Sequence, residues 1–240
     1  NNEYTQNAQE SLPDTIDSYN VSSFNLNIFY SKGLRRGQKG WSFQPFWQVS
    51  GLLGESTYSF QKAGIDVRKF TPLTEHIVFA KRISLAGIYY AKQDSLPADI
   101  RIYNGGTNSV RGWNRYQLGP KRPILNENGD FDRYVPAGGR ATFSFNTEFR
   151  FQLDQIFKGF GAATFLDGGQ VWRGFGDIGT TPIQFGIGGG LRYQSPIGPI
   201  RVDLAYKINP TKQDLRIYKG QNYGRAWDHW GIHFSIGQAF

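Results

Sequence analysis

The 240-residue sequence contains no cysteine and no methionine. Without cysteine there is no disulfide, no thiolate nucleophile and no sulfur-ligated metal, while compartment is left open. Without an initiator methionine or a signal peptide, the chain is expected to be a mature or excised piece of a longer reading frame. No apolar run approaches the roughly 18 residues of a transmembrane helix. No HExxH, nucleophile elbow or P-loop is present, and the glycine run Gly186–Gly190 lacks the GxGxxG spacing. Charge is sparse, at 19% of residues, and its excess of +8 is dispersed. The one basic cluster, Lys32 to Lys39 with Arg35 and Arg36, reads as a solvated turn, so no nucleic-acid partner is expected. What remains abundant is aromatic residues, at 16%, and 30 glycines, in a chain of mean hydropathy -0.48. That mixture suits β architecture better than helical packing.

Residues 1–20 are polar, carry Pro13 and show no periodicity, and read as a loop or tail. Beyond them, alternation of period two recurs. In 141–153, Phe143, Phe145, Phe149, Phe151 and Leu153 share one face, with Thr147 the exception. Ser144, Asn146, Glu148, Arg150 and Gln152 share the other. Successive side chains of a strand point to opposite faces, so this segment is apolar on one side and polar on the other. Residues 183–193, 200–208 and 230–240 repeat the pattern, and 22–31, 41–52, 56–70, 75–91 and 157–172 also fit strands. A change of parity near Gln61 and Lys62 points to a bulge. The total is about nine strands, most of them long enough for the roughly 9–11 residues that cross a bilayer at a tilt.

The polar faces carry Glu148, Arg150, Arg201, Asp203 and Lys207, which suits either the solvated side of a soluble sandwich or the wet lumen of a membrane barrel. The connections favour the barrel. Taken back from the C-terminus they run 209–228, 195–198, 173–182, 154–156 and 92–139, alternating longer with shorter, as extracellular loops alternate with periplasmic turns. Trp41, Tyr89, Tyr90, Trp172, Tyr193 and Trp230 lie near strand ends, where interfacial aromatics belong.

The 92–139 loop contains GGTNSVRGWNRYQLGP, with Arg111 between apolar neighbours. Its acids Glu127, Asp130 and Asp132 read as solvated turn residues. A cation in a confined lumen needs a carboxylate, and Glu148 and Asp167 are the inward candidates. Gly161 and Ala163 on the strand of Asp167 would leave room for an inserted loop. Chemistry alone leaves Arg111 between such a buried latch and an ordinary solvated loop residue. His229 and His233, with Asp228, form the only hint of a metal site, but residues four apart on a strand are separated by about 13 Å. Neither a metal, a cofactor nor an enzyme activity is expected.

Four ordered motifs carry a resemblance: VRGW in the long loop (Val110, Arg111, Gly112, Trp113), FLDGGQVW, GGGLRYQSPIGPIRVDLAY and a terminal FSIGQAF. Together they resemble the C-terminal barrel of the BamA/TamA superfamily of outer-membrane assembly factors, well over 75–240 and by strand pattern alone over 21–74. The resemblance implies an all-β, transmembrane antiparallel β-barrel of sixteen strands behind periplasmic POTRA domains, with 21–240 supplying the last nine. It implies a loop folded into the lumen, where Arg111 contacts Glu148 and Asp167; Trp113 stands where the family usually has Phe. It also implies a weak seam at a terminal strand over about 229–240, kinked at Gly237 and ended by the aromatic Phe240.

The implied function is insertion or translocation of outer-membrane proteins through that seam, without nucleotide. The implied partners are outer-membrane lipids, unfolded client proteins, accessory assembly subunits and the missing N-terminal strands, in this polypeptide or another. Secretion of a partner protein, export of a surface lipoprotein or lipid, and a passive pore are the alternatives.

Overall fold

The computed structural model describes residues 19–35, 39–52, 56–90, 96–196 and 198–240. The tail expected over 1–20 lies outside them except for Tyr19 and Asn20, as do positions 36–38 of the basic cluster and 92–95 of the long loop. In chain order the strands are β1 (Ser23–Asn27), β2 (Tyr30–Arg35), β3 (Lys39–Ser50), β4 (Phe60–Pro72), β5 (Ile77–Tyr90), β6 (Lys121–Leu125), β7 (Phe131–Pro136), β8 (Ala141–Gln152), β9 (Phe160–Trp172), β10 (Gln184–Ser195), β11 (Gly198–Lys207), β12 (Ile217–Tyr218), β13 (Gln221–Asn222) and β14 (Trp230–Ile236). The only helical pieces among the described residues are two short 3-10 turns, and no helix is long and apolar enough to cross a membrane.

One antiparallel sheet runs β1-β3-β4-β5-β8-β9-β10-β11-β14. β2 also pairs with β3, so β1 and β2 are one strand interrupted at Ile28 and Phe29. Counted this way the sheet has nine strands, each paired antiparallel with the next sheet strand in the chain, with short connections alternating with long ones. β1 and β14 are its edges; among the described residues no ladder joins them, and this chain does not close a barrel.

The faces are inverted relative to a soluble protein. On β8, Ser144, Asn146, Glu148 and Arg150 are buried, while Phe149 on the opposite face is exposed. On β10, β11 and β14, Ile187, Leu191, Val202, Leu204, Ile232 and Phe234 are exposed, while Arg192, Arg201, Asp203 and His233 are buried. An apolar face turned outward over a charged interior is the arrangement that a bilayer stabilises and water does not.

What buries the charges is the chain itself. The described part of the long connection, residues 96–140, packs against the inner face of the sheet and is not structureless. Ile102 bridges Gly139, Asn104 bridges Leu118, and β6 pairs with β7 in a hairpin whose turn leaves Glu127 and Asp130 exposed. Its root is anchored by a cluster of Phe60, Ile88, Leu96 and Ile102.

Three expectations are corrected. The β3–β4 and β4–β5 ladders run without a register shift through Gln61 and Lys62, so there is no bulge. The parity change there is chemical: Phe60 is an apolar residue on the inner face because it packs under the loop root. Tyr90 and Trp172 are not girdle residues. Tyr90 packs against that same cluster, and Trp172 is buried under the 173–183 connection, donating its indole N–H to the Thr181 carbonyl at 3.3 Å. Finally, β14 ends at Ile236 rather than running to 240. Gly237 takes a φ of +104°, in the left-handed region open to glycine, and the chain leaves the sheet. Phe240 is then buried with Phe70, Val78 and Ala80, its ring centroid 6.3 Å from that of Phe70 and 5.2 Å from the Arg150 guanidinium carbon.

Candidate functional site

Strand parity delivers the acidic side of the site. Even residues of β8 and odd residues of β9 face inward, so Glu148 and Asp167 project from adjacent strands into the same space. On β9 the inward residues before Asp167 are Gly161, Ala163 and Phe165. On β10 Gly186, Gly188 and Gly190 lie on that face between Gln184 and Arg192, and a side chain at Gly186 would meet the Gly112 backbone nitrogen at 3.2 Å. Small residues here and Gly231 on β14, where an added Cβ would come within 2.7 Å of the Arg111 carbonyl oxygen, let the loop backbone lie directly on the sheet.

Arg111 is fully buried at this point. Its Nε donates to Asp167 Oδ2 at 2.7 Å and its Nη2 to Asp167 Oδ1 at 2.9 Å, a two-pronged pair of the geometry that a guanidinium fork and a carboxylate favour. Its backbone N–H donates to the same carboxylate at 3.1 Å. Nη1 donates to Glu148 Oε2 at 2.5 Å, and Asp203 Oδ2 lies 3.8 Å away. The guanidinium carbon sits 3.4 Å from the Phe165 ring centroid, so the cation is covered by an aromatic face as well. The two carboxylates named from the sequence and the loop arginine therefore meet in one cluster.

The cluster is wider than the sequence indicated. Glu148 also accepts from Arg150 Nε at 2.7 Å and lies 3.0 Å from Arg192 Nη2. Asp203 accepts from Arg201 Nη1 at 3.1 Å. Arg201 in turn holds the loop through the Thr107 carbonyl at 2.9 Å and Asn108 Oδ1 at 2.5 Å, and Asn146 bridges Asp167 and the Ser109 carbonyl. Among the described residues, four buried guanidiniums thus share three buried carboxylates. Arg150, Arg201 and Asp203 were visible on polar faces; the convergence of those faces on one loop was not.

His233 was read only as half of an inadequate metal site. It lies opposite Asp203 in the β11–β14 ladder, and its Nε2 donates to the Arg111 carbonyl at 2.6 Å. His229 instead stacks on Tyr206, with ring centroids 5.5 Å apart. His233 is the side chain that joins the loop motif to the terminal strand. Replacing it with Ala leaves a buried carbonyl without its donor, a cost of about 1–3 kcal/mol. The expected result is faster proteolysis within 91–140 in a protein whose barrel still folds; an unchanged cleavage rate would remove His233 from the coupling.

Trp113 accounts for a second anchor. A phenylalanine at this position has no donor, whereas the indole N–H donates to Asp214 Oδ1 at 2.8 Å. Asp214, in the 208–229 connection, also accepts from Lys121 at 2.5 Å and from Gln184 at 2.7 Å. Burial works to raise the Asp214 carboxyl, but Lys121 beside it and the Thr211 donors hold it below the usual carboxylate range. Val110 packs with Trp113 and Leu118 in a small buried cluster on the same loop. Gly237 and Phe240, the remaining positions of interest, lie at the end of β14 as described above.

No group of three or more His, Cys, Asp or Glu among the described residues could hold a metal ion.

Residues 36–240 match the Omp85 superfamily domain. BamA of Neisseria meningitidis serogroup B, an outer membrane protein assembly factor, is 24% identical over 173 residues, spanning 60% of this chain and 21% of that protein. The crystal structure of BamA from Haemophilus ducreyi lacking POTRA domains 1–3 superposes with a TM-score of 0.62 at 23% identity, over 83% of this chain and 40% of that one. CdiB from Acinetobacter baumannii superposes with a TM-score of 0.55 at 16% identity, over 90% of this chain and 33% of that one. The chain thus spans about a fifth of the length of its curated relative and well under half of either solved chain. With the nine-stranded sheet and the match over 36–240, the chain belongs to the Omp85 superfamily.

Proposed function

We propose that this chain is the C-terminal part of an outer-membrane barrel that inserts or translocates other proteins, and that the Arg111 loop is the latch of its seam. The observation that carries the reading is one residue's double attachment. Arg111 is held by Glu148 and Asp167 on β8 and β9 through its side chain, and by His233 on the edge strand β14 through its carbonyl. A loop so placed ties the middle of the sheet to its free edge. β14 exposes the unpaired backbone of an edge strand, onto which an incoming strand could add by β-augmentation.

The mechanism requires no chemical catalyst. A client strand pairing with β14 gains the backbone hydrogen bonds that a nonpolar bilayer demands, and its own folding supplies the driving force. Accessory assembly subunits and the strands that complete the barrel are the partners this reading needs. Secretion of a partner protein or export of a lipoprotein or lipid would use the same seam with a different cargo. The domains preceding the barrel discriminate these: POTRA repeats alone favour assembly. A passive pore is disfavoured by the loop packed across the inner face.

The test is a cysteine pair in the full polypeptide tying β14 to the strand that closes the barrel. This chain contributes no competing cysteine. Under oxidising conditions client insertion is expected to stop and to resume on reduction; undiminished insertion by the crosslinked protein would exclude gating at this edge.

A further inference from the structure

The outward face of the sheet is not flat at its long-loop end. There the 173–183 connection leaves β9 and folds back over the ends of β5 and β8, enclosing a groove of about 700 Å³. Leu85, Phe143, Trp172, Phe175, Ile178 and Ile183 line it. Phe175 lies so close over Gly87 that an added Cβ there would come within 3.0 Å of the ring. Phe175 and Ile178 are nonetheless exposed, at 45% and 51%, so the groove is open to whatever surrounds the barrel.

Arg140 directly precedes Ala141, one of the residues that line this groove. Its backbone is fixed, the amide donating to the Trp172 carbonyl at 2.9 Å and the carbonyl accepting from Ile88 at 2.7 Å. Its guanidinium lies 4.3 Å from the Tyr90 ring centroid and 5.6 Å from that of Phe175. Among the described residues it has no ion pair, and its buried Nε has no hydrogen-bond partner. The four arginines of the lumenal cluster, by contrast, lie against carboxylates. The acid of the covering connection, Asp177, is turned to its own backbone, accepting from Gly174 at 3.0 Å. An aromatic-flanked cation without an acid, beside an apolar groove, is complementary to a molecule with an apolar chain and an anionic head. The groove is also continuous with the exposed apolar band of Ile83, Leu85 and Phe149, which faces the bilayer under the membrane reading.

We propose that this groove binds an acyl chain of an anionic membrane lipid whose phosphate sits against the Arg140 guanidinium. The proposal rests on the outer-membrane reading, and its test separates the two. The full polypeptide is reconstituted into phosphatidylcholine vesicles containing phosphatidylglycerol of the same acyl chains, extracted in mild detergent, and weighed with its retained lipids by native mass spectrometry. The unaltered protein is expected to retain phosphatidylglycerol over phosphatidylcholine by about tenfold, the value of one charge-assisted contact. Arg140→Gln should abolish that preference and Arg140→Lys should keep most of it. Phe175→Ala with Ile178→Ala should reduce retention of both lipids. Equal retention of the two lipids by the unaltered protein, or a preference that survives in Arg140→Gln, overturns the proposal. A protein that integrates into the vesicles yet is indifferent to the headgroup overturns the groove alone; one that alkali strips from the vesicles overturns the membrane reading as well.

Discussion

Replacing Arg111 with alanine is expected, under the proposed function, to abolish client insertion while the strands still form, because it removes the cation shared by Glu148 and Asp167. Asp167 would lose its two-pronged partner, Phe165 the cation over its ring, and Glu148 its shortest contact. Taking one member from a buried ion cluster costs about 3–5 kcal/mol, since the remaining charges stay desolvated without compensation. The chain can lower that cost by letting water in, which means lifting the loop. The expected readout is therefore a loop between 91 and 140 that becomes protease-sensitive, together with loss of client insertion. Arg111→Lys should rescue poorly, because an ammonium cannot reproduce the two-pronged contact with Asp167 while reaching Glu148. A mutant with full activity and a protected loop would end the latch reading.

Glu148→Gln should be nearly as severe and should act by a different route. Gln keeps the shape of Glu but removes the charge that faces Arg111, Arg150 and Arg192. Arg192 makes no hydrogen bond among the described residues, so with Glu148 neutral its remaining counter-charge is Asp203 at 3.7 Å. Three guanidiniums would then repel across one cavity, and a destabilisation of roughly 3 kcal/mol or more follows from the uncompensated burial. The measurement is the urea midpoint of the refolded full polypeptide in detergent. Arg192→Gln combined with Glu148→Gln should recover part of the loss, because it removes the repulsion; strict additivity of the two changes would show that the charges are not coupled.

Much of the fold was legible without coordinates, for a local reason. Side chains alternate along a strand whatever its neighbours do, so nine strands, the shared face of Glu148 with Arg150, and the inward set Gly161, Ala163, Phe165 and Asp167 could all be read from parity. The same reading failed where tertiary packing overrode local chemistry. Phe60 looked like a parity error and is a lumenal anchor. Trp172 looked like an interfacial aromatic and is roofed by the connection that follows it. The end of β14 looked like a continuing strand, although a positive φ at Gly237 turns Phe240 onto Arg150 and Phe70.

The sequence by itself determined which residues share a face, that these 240 residues hold no apolar run long enough for a transmembrane helix, and that they hold no thiol or recognised nucleophile motif. Only the tertiary structure decided which face is buried and what buries it. Arg111 meets Glu148, Asp167 and His233 across sequence separations of 37, 56 and 122 residues. Contacts so distant depend on how an entire loop packs across the sheet, and no local periodicity encodes them. The same holds for Arg140, which among the described residues faces no carboxylate, a property of the folded surface and not of its neighbours in the chain.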